Sequence, residues 1–90
     1  MPESYTVKIT LVSNNRPCHA GHQLGQEWTF DYMTPPGMCS LAWNAMYPMV
    51  LALSTGGTFP WQEDPDTLTL SCPDQEVQNI FELKRGRRGQ

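Results

Sequence analysis

Long apolar runs are missing from this 90-residue sequence. Crossing a bilayer takes roughly 18–20 apolar residues in one helix. The best candidate, Met38 to Leu53, is interrupted by Ser40, Asn44 and Pro48, so no membrane role is expected. The opening Met1-Pro2-Glu3-Ser4-Tyr5 has neither the basic region nor the apolar run of a secretory signal, and the expected compartment is the cytoplasm. Cations are scarce as well. Residues 1–83 hold Lys8 and Arg16 against all nine acidic residues, a net of −7, while residues 84–90 carry Lys84, Arg85, Arg87 and Arg88, a net of +4. An acidic body does not suit general nucleic-acid binding, which needs a basic face to neutralise phosphates. The Gly-spaced basic end reads as a solvated tail, with RNA or an acidic partner as the alternative. No P-loop, no Gly-x-Gly-x-x-Gly and no Ser-His-Asp order is present. The acidic turn at Glu63, Asp64 and Asp66 lacks the glycine and the closing glutamate of a calcium loop.

What is present suits one small domain, 1–83, followed by the basic tail 84–90. A chain of this length buries only about 60–65% of its unfolded surface, so a metal, a disulfide or a partner subunit would add to a thin margin. Three Trp, three Tyr and three Phe supply large units of burial. Tyr5, Val7, Ile9 and Leu11 alternate with polar residues, the period of a half-buried strand. Trp28, Phe30 and Tyr32 do the same, ending at Thr34-Pro35-Pro36-Gly37. Met38, Leu41, Ala42, Ala45, Met49, Val50 and Leu53 form a helical stripe, closed by Thr55-Gly56-Gly57 and interrupted by Pro48. Trp43, Tyr47 and Leu51 make a second line roughly opposite the first. That line is expected to be covered by Phe59 and Trp61 or by another subunit. Leu68, Leu70 and Cys72 predict a third strand, and 77–83 a fourth, with Val77, Phe81 and Leu83 on one face. The expected fold is α+β: a small antiparallel sheet of about four strands, β-β-α-β-β, packed on one long helix.

Three cysteines in a cytoplasmic setting point to ligands, reactive thiols or core packing before disulfides. Cys18 and His22 lie four apart in a Gly-containing loop, with His19 as a substitute. Cys39 falls in the first helical turn, where open N–H groups favour an anion, and Cys72 ends a strand on its inward face. The helix start, the strand end and the loop fit one end of the sheet. Cys18, His22, Cys39 and Cys72 are therefore candidate ligands of zinc, or of iron with soft donors. Paired Cys-x-x-Cys knuckles would be a far stronger signal, and small buried cysteines are common in cores. A second reading makes Cys39 a thiol nucleophile with His22 or His19 as base and Glu27 or Asp74 as the orienting group. A third makes the chain an interaction or oligomerisation module docking through Trp43, Tyr47 and Leu51.

The series Cys18…Gly21-His22…Gly25, Gly37-Met38-Cys39…Ala42-Trp43, Thr55-Gly56-Gly57, Cys72-Pro73-Asp74 and Phe81-Glu82-Leu83-Lys84-Arg85 resembles a TIGR-catalogued family of small uncharacterised bacterial and archaeal proteins. The resemblance covers nearly the whole chain, and Gly-x-Cys-x-x-Ala-Trp and Cys-Pro-Asp are its most specific pieces. It implies a stand-alone domain with Cys18, His22, Cys39 and Cys72 at matching positions, which fits a shared site without identifying its ligand. Pro48 inside the helix and the longer basic tail depart from the pattern, so helix geometry and partner surface are where the two differ.

Overall fold

The alternation of apolar and polar residues is realised as four antiparallel strands. The computed structural model describes residues 5–16, 20–72 and 78–87. Strand β1 (Tyr5–Asn14) and β2 (Glu27–Phe30) precede helix α1 (Ser40–Ser54), and β3 (Thr67–Ser71) and β4 (Asn79–Arg87) follow it. The sheet order is β2-β1-β4-β3. The strands nearest the two ends of the chain are thus paired at the centre, and the two shortest strands form the edges.

Register aligns the inward side chains into rows. Trp28, Ile9, Leu83 and Leu68 lie side by side across the four strands, and Leu11, Phe81 and Leu70 form the next row. Val7, Ile9, Leu11, Phe81 and Leu83 are fully buried, each such side chain contributing about 1.5–3 kcal/mol of burial. The 15-residue helix packs on this face through Ala42, Met46, Val50 and Leu53. Leu41, expected on the core side, is 48% exposed, and Met46 takes the buried place instead. The contacting face therefore keeps Ala42, Val50 and Leu53 of the expected stripe and adds Met46, while Met38 precedes the helix.

The helix stops as its glycines require. Gly56 has φ +91°, its N–H reaches Leu53 O at 3.2 Å, and Gly57 N–H reaches Ala52 O at 2.8 Å, the paired bonds of a left-handed C-terminal cap. Beyond it, the Asp64 carboxylate accepts hydrogen bonds from Asp66 N–H and Thr67 O–H, each 2.9 Å. These bonds hold its pKa below the ordinary carboxylate value.

Two strand ends differ from expectation. Tyr32 adopts φ +66° and is 57% exposed, so the aromatic face of β2 ends at Phe30. Strand β4 runs on to Arg87, so 84–87 of the expected tail are strand, while 88–90 and Val77 lie outside the described residues. Arg85 continues the inward alternation of Phe81 and Leu83. Its guanidinium donates to Asp66 Oδ1 (2.9 Å), Gly57 O (2.6 Å) and Leu53 O (3.3 Å), and it lies 4.9 Å from the Tyr5 ring centre. A cation is tolerated there because its donors meet a carboxylate and two carbonyls at the end of the helix. It fixes the C-terminus of α1 to the Arg85 end of the sheet, and the N-terminus therefore lies toward the Asn79 end. Among the described residues, no helix is long and apolar enough to cross a membrane.

Candidate functional site

The Asn79 end of the sheet gathers the loop after β1, the start of α1 and the end of β3. Gly21 (φ +82°) and Gly25 (φ +85°) let the loop curl. Its return is fastened to β1 by Gly25 N–H to Leu11 O at 2.8 Å and Leu11 N–H to Gln26 O at 3.1 Å. The curl turns His22 inward, where it is only 7% exposed. Its ring meets Trp28 edge to face at 4.7 Å, and Trp28 in turn lies 6.1 Å from Phe81. His22 is thus seated on the first layer of the core.

The imidazole also holds the helix. Cys39 is the residue before α1 rather than within its first turn as expected, and its backbone N–H donates to His22 Nε2 at 3.0 Å. Its carbonyl accepts the Trp43 N–H at 2.9 Å, starting the helical ladder. The N-cap side chain makes no capping bond, and the imidazole accepts from the N-cap N–H, the donor that a capping-box Glu or Gln more commonly serves. An Nε2 that accepts from a backbone amide leaves the neutral ring's proton on Nδ1. Burial pushes the His22 pKa below its ordinary value of 6.5, in keeping with a neutral ring.

Cys72 is buried in the same core against which Cys39 packs. Its N–H donates to Asn79 O at 2.8 Å, and neither Cys39 nor Cys72 is in a disulfide. Asn79 is 3% exposed, and its side-chain oxygen finds no hydrogen-bond partner among the described residues. A buried amide oxygen without a donor costs about 1–3 kcal/mol. Beside His22 a groove of ≈ 540 Å³, lined by Asn14, Asn15, Arg16, Gln23 and Leu24, opens this end to solvent.

Of the expected ligands, His22 and Cys39 are brought into direct contact, ring to backbone. Cys72 lies at the same end of the fold. Cys18 lies outside the described residues, as do His19 and Asp74. Among the described residues, no three of His, Cys, Asp and Glu converge as a coordination shell would require. The lone pair of His22 Nε2 is aimed at an amide, so in this arrangement it is not the base for the Cys39 thiol. Trp43 and Tyr47 pack on Phe30 at 5.8 and 6.2 Å, whereas Phe59 pairs with Trp61 at 5.2 Å. The cover of Trp43 and Tyr47 therefore includes β2. Tyr47 and Leu51 remain 40% and 42% exposed. Sequence reasoning passed over Asn79 and Arg85. The alternation of Phe81 and Leu83, carried two residues in either direction, marks both as inward-facing.

Comparison with family models, with curated proteins and with solved structures gives no match.

Proposed function

We propose that this is a small cytoplasmic protein with a Cys/His site at the Asn79 end of the sheet. Cys18, His22, Cys39 and Cys72 are its donors, and zinc or iron, in a structural or redox-linked role, is its ion. One observation carries the reading: His22 and Cys39, 17 residues apart, are held together by a 3.0 Å hydrogen bond in a loop built for it. Cys72 at the same end, and the Asn79 oxygen that has no partner among the described residues, support it. Three sulfurs and one nitrogen suit a tetrahedral soft-metal site. The same geometry adds a constraint. His22 Nε2 serves either the Cys39 amide or an ion, so ligation by this nitrogen releases the helix start.

The thiol-enzyme reading has less support, because the imidazole that would activate Cys39 is engaged by its backbone. The interaction-module reading draws on the exposed Tyr47 and Leu51. Metal analysis of protein purified without chelator or His-tag separates these. Stoichiometric zinc or iron, lost together with thermal stability in EDTA, is the expected result. Metal-free protein whose melting is unchanged by EDTA overturns the metal reading.

A further inference from the structure

The sequence contains two lysines, 76 residues apart. The fold sets them directly opposite each other, Lys8 on β1 and Lys84 on β4, at the centre of the sheet on the face away from the helix. Like charges facing across a strand pair destabilise it. A local rule broken at the centre of an otherwise consistent sheet is the kind of departure that functional sites show. Thr29 flanks Lys8 and Thr67 flanks Lys84, so one row across the sheet reads Thr29, Lys8, Lys84, Thr67. In the neighbouring row Thr6 faces Gly86, whose missing side chain leaves the surface open. A cleft of ≈ 260 Å³ results, lined by Thr6, Lys8, Thr29, Lys84, Arg85 and Gly86. Among the described residues, no carboxylate lines it.

We propose that this cleft binds a small phosphorylated anion, with the Lys8 and Lys84 ammonium groups on its charged oxygens and the threonine hydroxyls as further donors. Arg85 contributes only backbone, since its guanidinium is engaged on the other face. The nearby acids do not fill the role of the anion. Glu27 approaches Lys8 Nζ at 3.9 Å with both side chains more than half exposed, a weak pairing. Glu82 stands one row away beside Thr10 and Thr69. Asp64, which feels Lys84, is held by Asp66 and Thr67. The nature of the face selects among anions. Among the described residues, no aromatic side chain lines the cleft to stack a base, as single-stranded nucleic acids require. A phosphate or diphosphate group fits; a polynucleotide does not.

The test is titration of the full chain with pyrophosphate, at constant ionic strength maintained with potassium chloride, followed by amide chemical shifts. Saturable 1:1 binding is expected, with shifts at Thr6, Lys8, Thr29, Lys84 and Gly86. Lys8→Gln and Lys84→Gln should each weaken it about tenfold or more, the worth of one charge-assisted contact. Without ligand, each variant should melt at or above the temperature of the parent, because the repulsion is relieved. An ADP arm separates the sources: affinity equal to pyrophosphate means that only the phosphates are read. Shifts clustered at His22 instead, binding unchanged in both variants, or no saturation beyond that of chloride would overturn the proposal. The metal proposal concerns the other face and stands or falls separately.

Discussion

Arg85 shows how much one side chain can organise. It is a charged residue on an inward strand position, and its donors serve Asp66, Leu53 O and Gly57 O together. Removing it takes the donor from Gly57 O, leaves Leu53 O with only the Gly56 N–H, and leaves Asp66 without its cation. Arg85→Met keeps much of the stem and removes the donors, so it is expected to cost about 3 kcal/mol or more in chemical denaturation. A cost below about 1 kcal/mol would mean that solvent reaches those carbonyls. His22 makes a different prediction, in pH. Its folded pKa lies below the 6.5 of the exposed group, so the unfolded chain takes up a proton first. The stability it confers is fully present above pH 6.5 and falls as the pH drops from there toward the folded value. Thermal melts between pH 7.5 and 5 should decline over that window. In His22→Gln the part of the decline due to this group should vanish.

At the scale of elements, the helix was the most legible part of the sequence and also the part most usefully corrected. Its existence and its stop follow from spacing and from Thr55-Gly56-Gly57, because apolar periodicity and left-handed glycine are local properties. Its phase follows in part: Ala42, Val50 and Leu53 of the expected stripe are buried, but only packing against β1 and β4 chooses Met46 over Leu41. Strand β2 ends at Phe30 for a similar reason: alternation continues to Tyr32 in the sequence, but the backbone there turns to φ +66°. The helix end makes a sharp prediction. A Cβ on Gly57 would stand 2.9 Å from Ala52 O, a backbone atom, so Gly57→Ala should cost about 1–3 kcal/mol, read as a drop in melting temperature. Pro48 sits inside α1, is exposed and cannot donate to Asn44 O. Pro48→Ala restores that bond and should stabilise by about 1–2 kcal/mol, after the looser unfolded chain is counted.

At the scale of the molecule, the convergence of the loop, the helix start and the strand end was foreseeable from element order. The strand order was not, since which strands neighbour one another depends on contacts between the two ends of the chain. Those long-range contacts also decide what a bound ion would do. A ligand that binds the folded chain alone stabilises it by RT ln(1 + [L]/Kd), about 2.7 kcal/mol at a free concentration one hundred times Kd. In a domain of this length each kcal/mol moves the melting point by about 4–8 °C, so saturating zinc or iron should raise it by roughly 10–20 °C. Because the proposed donors belong to separate elements, the expected increment belongs to the whole set. Cys39→Ala and Cys72→Ala should each abolish most of it, while altering the metal-free melting point by different amounts, since Cys72 is buried and Cys39 only partly so. Differential scanning calorimetry with and without the metal reads both quantities. Identical increments in the parent and both variants would place any bound ion elsewhere. If the rise survives only in Cys39→Ala, the thiol at the helix start is not a ligand, and His22 holds that terminus for structural reasons alone.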